Sequence, residues 1–172
     1  PAGDGLPGSV GKVEDQPAVG VNSSTDPFDW ATGRIDHHGP VDITTDTLTI
    51  TTAVAAGAND ITIKESTGAE GIELAGTSVG AALQLADGTV IDRLTTTGSL
   101  IFGDLADGPI TITGAVSPAG ASTLELLTSD DIVDGGGSIT ITKLSMNAVG
   151  QIGTTTGGQE IDTAVSNLEA NA

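Results

Sequence analysis

The sequence contains no cysteine and very few aromatic residues, with two Phe, one Trp and no Tyr among 172 residues. Without a thiol the chain can form neither a disulfide nor a thiolate metal site. A globular core of this size usually contains several large rings, because aromatic side chains fill irregular space. The composition therefore favours a core of stacked aliphatic side chains.

Cations are also scarce, since five Lys and Arg stand against 23 Asp and Glu and give a net charge of −18. A polyanion of this kind is repelled by nucleic acids and by anionic membranes, so we expect neither as a partner. No apolar run approaches the roughly 20 residues of a membrane helix, and we expect no membrane insertion.

The first 40 residues differ in texture from the rest. They are rich in Pro and Gly and show no sustained periodicity, which predicts an extended or irregular N-terminal arm over 1–40. Phe28 and Trp30 stand two positions apart, so an extended backbone places both on one face. We predict that this pair caps an apolar core or docks onto a neighbour.

From Val41 onward, pairs of apolar residues recur two positions apart, with Thr, Glu, Asp or Lys at many of the intervening positions. This period of two predicts short strands with one dry and one wet face. The breaks between them are rich in Gly, Asn, Asp and Pro. The pairs are Leu48/Ile50, Ile61/Ile63, Ile72/Leu74, Leu83/Leu85, Leu100/Phe102, Ile110/Ile112, Leu124/Leu126 and Ile139/Ile141.

Short strands at such spacing are also typical of a β-sandwich or barrel. Here the strands are very short, their inward residues are nearly uniform aliphatics, and helices that could connect parallel strands are missing from the pattern. A parallel β-helix pairs its strands in parallel without helices, because each turn of the chain pairs with the turn below. We therefore predict an all-β fold, a right-handed parallel β-helix (solenoid) over 41–172 with an extended N-terminal segment.

The stretch from GGGSITITKL to QIGTTTGGQEIDTAVSNLEANA resembles repeats of large secreted bacterial β-helix proteins of the filamentous-haemagglutinin type. The resemblance covers roughly 41–172, is strongest over 135–172 and does not reach the first 40 residues. It implies a structural, secreted or cell-surface protein and transfers no catalytic residue. The matching positions are Ile139, Ile141 and Leu144 for the strands, Ile152 and Gly153 for the following step, and Ile161, Thr163, Ala164, Val165, Leu168 and Ala170 for the closing phrase.

A β-helix ends in a strand whose backbone N–H and C=O groups lack partners, and such an edge is a template for another strand. We expect this edge to be covered by head-to-tail self-association or by neighbouring repeats of a longer chain. Addition of the first 40 residues to a neighbour's edge is one route, and it would not close into a ring.

Two groups of residues are candidate metal ligands. His37 and His38 follow Asp36, and such a set can hold zinc or copper, although adjacent residues of an extended chain point to opposite faces. Asp130, Asp131 and Asp134 precede three glycines, which permits a weak calcium site. The repeated nonapeptides of a calcium-binding β-roll and the EF-hand loop are absent from the sequence, so polar loops and solvated turns are the alternative reading at both places.

These observations predict a non-catalytic structural module of an extracellular adhesin stalk or fibre, with no required cofactor beyond possible Ca²⁺. Two other classes stay open. One is an adhesive domain that binds glycans or calcium. The other is a polysaccharide-active β-helix enzyme, against which stands the lack of an aromatic or cationic groove in the sequence.

Overall fold

A computed structural model of the protein describes the backbone of residues 19–23, 28–30 and 35–36 and all atoms of 39–67, 70–76, 82–153 and 160–172. Within these ranges the chain is mostly β-structure and contains one 3₁₀ turn, Ile91–Arg93, but no α-helix. A search of the same ranges for a helix with the length and apolar character to cross a membrane finds none.

The strands are short except for the last two. In chain order they are β1 (Val19–Ser23), β2 (Phe28–Trp30), β3 (Ile35–Asp36), β4 (Val41–Thr45), β5 (Leu48–Ile50), β6 (Val54–Gly57), β7 (Ile61–Lys64), β8 (Ile72–Leu74), β9 (Leu83–Leu85), β10 (Leu94–Thr96), β11 (Leu100–Phe102), β12 (Ile110–Ile112), β13 (Ala115–Val116), β14 (Thr123–Thr128), β15 (Ile132–Asp134), β16 (Ser138–Ala148) and β17 (Asp162–Asn171).

Every pairing between these described strands is parallel. They form four sheets. An eight-stranded long sheet runs β1-β4-β7-β11-β14-β16, with β13 and β17 also paired to β16. A second sheet runs β9-β8-β12-β15, a third β3-β6-β10, and β2 pairs with β5. The prediction of an all-β fold with parallel strands and no helical connections is confirmed at this level.

The chain returns to the long sheet after passing through the other sheets. From β4 it continues through β5 and β6, and β7 then pairs with β4. β11 pairs in turn with β7, β14 with β11 and β16 with β14. The second sheet is built in the same order, since β8, β12 and β15 each follow one of those long-sheet strands and pair with one another.

Register aligns residues of the long sheet into columns, two of which consist of apolar residues. Most of the described side chains in these columns are fully buried, and aliphatic residues stacked in this way fill a narrow core without large rings. The first column consists of Val19, Val41, Ile61, Leu100, Leu124, Leu144 and Leu168, and the second of Val21, Ile43, Ile63, Phe102, Leu126, Met146 and Ala170.

The apolar pairs of the sequence pattern all lie in strands, and every one of their side chains is buried. Burial alternates along the strands as the period of two predicts, for example in β4, β7 and β14. In the second sheet the column Leu83, Ile72, Ile110 and Ile132 continues to an isolated bridge at Ile152.

One strand departs from the repeating order. β9 pairs with β8 on one side and lies beside β5 on the other, so it separates β5 from β8. In the long sheet the corresponding strands β4 and β7 are direct neighbours. The return from Ile61 to Leu100 is accordingly almost twice as long in sequence as the return from Val41 to Ile61.

Three strands lie in the segment predicted as an N-terminal arm. β1, β2 and β3 pair in parallel with β4, β5 and β6 respectively. The extended backbone expected at 28–30 is present, and Phe28 and Trp30 are in register with Leu48 and Ile50. The division at residue 41 and the capping role of the two aromatic residues stay predictions.

Candidate assembly surface at the last strand

The last strand, β17, is a long edge of the long sheet. It pairs in parallel with β16 over its whole length, from Ser138↔Asp162 to Asn147↔Asn171. Among the described strands, β16 is the partner of β17, and the opposite edge of β17 faces no described strand. Side chains along β17 are exposed except for half-buried Val165.

The apolar columns of the core end at this strand. Leu168 is in register with Leu144, but Leu168 is 54% exposed whereas Leu144 is 2% exposed. Ala170 continues the column of buried Met146 and is likewise exposed. The last layer therefore presents aliphatic side chains to solvent at positions that are buried one strand earlier.

Two shallow depressions flank this strand. One of about 560 Å³ contains Ile141 and Val165 in its lining, and one of about 490 Å³ contains Leu144, Leu168 and Lys143. Neither lining includes an aromatic side chain, and Lys143 is the one cation in the two. Both linings are mixed, with Thr and Ser side chains beside the aliphatic ones.

An asparagine pair lies at the carboxyl end of the same edge. Asn171 Nδ2 donates a hydrogen bond of 3.2 Å to Asn147 Oδ1, and the two residues are in register. Amide side chains stacked across parallel, in-register strands form a ladder that a further Asn can extend. The edge strand β17 therefore carries an amide side chain at a fixed register position next to the apolar columns.

Three carboxylates of the described residues are buried, and Glu73 of β8 is held by Gln84 and Thr113. The other two, Glu65 and Asp107, lie where β7 and β11 lead into the second sheet. Glu65 is 4% exposed, and its Oε1 accepts a hydrogen bond of 2.7 Å from the Gly108 N–H. Its Oε2 accepts one of 2.8 Å from the Gly71 N–H. Because these bonds engage both oxygens, the carboxylate organises backbone rather than a substrate.

Asp107 is the second of these two carboxylates and is 2% exposed. Burial, together with the negative charge of Asp104 and less strongly that of Glu65, raises the pKa of Asp107 to about 6. A hydrogen bond of 2.9 Å from the Asp104 N–H to Asp107 Oδ2 acts in the opposite direction. Asp107 is not part of the lining of either depression beside β17.

Two further carboxylates, Asp104 and Asp46, are more exposed. Burial tends to raise the pKa of Asp104, but the Lys64 Nζ donates a 2.9 Å hydrogen bond to it and holds the pKa below its usual value. A hydrogen bond of 2.6 Å from the Ser66 hydroxyl lowers the pKa of Asp46. Both arrangements join residues of successive strands or turns and have a structural role.

Two of the three aspartates proposed for calcium accept hydrogen bonds from backbone N–H groups. Asp131 Oδ1 accepts a 2.7 Å hydrogen bond from the Gln151 N–H, and Asp134 Oδ1 accepts one of 2.8 Å from the Gly136 N–H. Asp130 is exposed. The described part of the chain contains no group of three or more His, Asp or Glu side chains placed to hold a metal ion. His37 and His38 lie outside the described residues.

Comparison of the chain with protein-family models, with curated proteins and with solved structures finds no match in any of the three. The argument for function therefore rests on the strands and on the edge that they leave open.

Proposed function

We propose that the chain is a structural, non-catalytic extracellular module, a right-handed parallel β-helix that spans distance as part of an adhesin stalk or fibre. The observation that carries the proposal is the register of the long sheet, in which one aliphatic column runs from Val19 to Leu168 through consecutive parallel pairings. A protein built by repeating one layer gains length with each repeat, which suits a spacer.

The order of the sheets supports a coiled chain. Starting from β1, the strands β4, β7, β11, β14 and β16 each follow a passage through another sheet, and each pairs with the one before it in this series. Parallel pairing without helices is what coiling produces. Right-handedness follows the strong preference of parallel strand connections for that hand.

The repeat texture supports the extracellular assignment. The phrase around Ile161, Val165 and Leu168 resembles secreted bacterial β-helix proteins of the filamentous-haemagglutinin type, and those residues fall at and along β17. The absence of cysteine fits surface proteins of that kind. The buried carboxylates Glu65 and Asp107 are engaged with backbone N–H groups, which argues against a polysaccharide-cleaving pair.

Spin-label distances test the architecture. Asp42, Thr62, Ile101, Glu125, Ser145 and Glu169 form one register column of the long sheet, and each is at least partly exposed. Because the chain has no cysteine, paired Cys substitutions label chosen positions without background. Distances from residue 42 should rise by about 4.8 Å per pairing, and reach roughly 24 Å at residue 169.

Distances that stop rising along the column would indicate a closed globule and overturn the β-helix. A second measurement tests the function itself. The protein should neither cleave acidic polysaccharides nor bind a glycan array, with or without a chelator. Turnover would establish an enzyme, and chelator-sensitive glycan binding would establish the adhesive, calcium-dependent alternative.

A further inference from the structure

We infer that a second copy of this chain docks the outer edge of its β1 onto the outer edge of β17, and so extends the long sheet head to tail in one fixed register. The inference rests on the proposed structural function and names the partner of the open edge. In this register Val19 and Val21 of the second copy lie opposite Leu168 and Ala170.

The two edges have complementary backbone groups. Val41 donates its N–H to the Asp60 carbonyl, and Ile61 donates its N–H to the Ser99 carbonyl. Each acceptor directly precedes the register partner of the donor, so these bonds point toward the following strand. Alternate residues of a parallel strand bond to opposite sides, and Leu168 shares the register column of Val41 and Ile61. The N–H and C=O groups of Leu168 and Ala170 therefore point away from β16.

The same alternation applies at the other end of the sheet. Val19 and Val21 are in register with Val41 and Ile43, so their backbone groups bond toward β4. Those of Gly20 and Asn22 consequently point to the outer edge of β1. The outward N–H and C=O groups of Gly20 and Asn22 can thus bond with those of Leu168 and Ala170, as in a pair of parallel strands.

Strand direction permits the addition without reversal of the second copy. All strands of the long sheet are parallel, so β1 and β17 are opposite edges with the same polarity. A second copy placed next along the stacking direction continues the sheet. The contact joins two different surfaces and leaves a new β17 edge free, so it propagates as a filament.

Side-chain chemistry favours the same register. Placing β1 over β17 continues the aliphatic columns, and covers Leu168, which is 54% exposed. It also places Asn22 of the second copy opposite Asn171, which already donates to Asn147 Oδ1. A one-residue slip would move the apolar positions to the wrong face and would lose this asparagine ladder.

Net charge opposes the contact. Each copy carries −18, so copies repel one another at low ionic strength. Salt screens such repulsion over a Debye length of about 10 Å at 0.1 M and about 3 Å at 1 M. We expect the 172-residue chain to be monomeric in dilute buffer and to form filaments as protein concentration and NaCl rise together.

A proline substitution tests the edge. Ala170→Pro removes an N–H that points outward and leaves the bonds from β17 to β16, as proline is tolerated at strand edges. Ala170→Val is the matched control, because it keeps the N–H group and favours strand structure. Light scattering and negative-stain microscopy at 1 M NaCl should show filaments for wild type and Ala170→Val, and at least tenfold less assembly for Ala170→Pro.

Cysteine cross-linking tests the register. A differently tagged pair, Asn22→Cys and Asn171→Cys, should form a mixed disulfide under assembly conditions, because residues opposite each other in a sheet lie within disulfide reach. Asn167→Cys replaces Asn171→Cys as the control. Four residues along a strand displace it by about 13 Å, so that pair should not cross-link.

Each other outcome overturns the docking. Monomers at all concentrations and salt conditions would overturn it, as would predominant Asn171→Cys homodimers, which require tail-to-tail contact. These outcomes leave the proposed β-helix intact if the spin-label distances still rise linearly. Failure of those distances would instead overturn the proposed function.

Discussion

The Glu65 carboxylate accepts a 2.7 Å hydrogen bond from the Gly108 N–H, and so joins the turn after β7 to the turn before β12. Its other oxygen accepts from the Gly71 N–H, directly before β8. One side chain thus fixes the starts of two neighbouring strands of the second sheet, and Ile72 then donates its N–H to the Pro109 carbonyl between them.

Glu65→Gln should therefore destabilise the protein. An amide retains one acceptor oxygen and turns a donor toward N–H groups, so at least one buried donor loses its partner. We expect the free energy of unfolding to fall by about 2–3 kcal/mol in urea titrations followed by circular dichroism. The control Glu70→Gln changes an exposed side chain and should have little effect. Equal losses in both variants would contradict the role of Glu65.

Asp107 predicts a specific dependence of stability on pH. Its pKa in the folded protein is raised to about 6 from 3.8, so the folded state binds more protons than the unfolded state between these values. Its contribution to stability therefore decreases as pH rises through this window, by at most roughly 3 kcal/mol.

Asp107→Asn should remove this dependence and keep an acceptor for the Asp104 N–H. The difference in unfolding free energy between variant and wild type should grow in favour of the variant from pH 4 to pH 7 and then level off. Losses below pH 4 from Asp46 and Asp104, whose pKa values are lowered, are common to both proteins and cancel in the difference. Parallel pH profiles would rule out the titration of Asp107.

Alanine substitutions at two glycines distinguish the cost of backbone strain from the cost of a steric conflict. Gly103 and Gly136 both have positive φ, of 81° and 92°. A Cβ at Gly103 would lie 2.2 Å from the Leu127 carbonyl oxygen, whereas a Cβ at Gly136 meets nothing within 4 Å. Gly136→Ala should cost about 1–2 kcal/mol from conformation, and Gly103→Ala clearly more. Thermal denaturation of both variants measures the difference, and similar losses would mean that Leu127 of β14 moves away without cost.

Ionic strength should stabilise the folded chain. With a net charge of −18, compaction works against self-repulsion that salt screens. We expect the Tm of dilute protein to rise by several degrees between 10 mM and 500 mM NaCl at pH 7. At pH 4.5, where carboxylates begin to protonate, the increase should be smaller. An equal increase at both pH values would indicate an effect of salt other than charge screening.

Much of the fold could be predicted from the sequence because its signal is local. Alternation at pairs such as Leu100/Phe102 reports burial on one side of a strand, and those side chains are buried. The lack of intervening helices favoured parallel pairing by coiling, and the pairings are parallel. An open edge is expected from β-helix geometry, and among the described strands β17 lies at such an edge.

The rest depends on distant contacts that a local pattern does not contain. No local pattern marks Glu65 and Asp107 for burial. The N–H groups of Gly71 and Gly108 that bond Glu65 come from later turns. The Asp104 N–H that bonds Asp107 comes from its own turn. The Leu83/Leu85 pair predicts a strand but not that β9 would lie between β8 and β5. The aspartate motif was conspicuous by composition, but Asp131 and Asp134 accept hydrogen bonds from backbone N–H groups.

The additional strand β9 acts as a wedge. In the long sheet, β4 and β7 are direct neighbours. On the face that contains β9, one additional strand width of about 4.8 Å separates β5 from β8. Layers on either side of this point must tilt against each other or bend locally to absorb the difference. A fibre built from many copies would repeat the same tilt at every subunit, and so would follow a curved or superhelical path rather than a straight line.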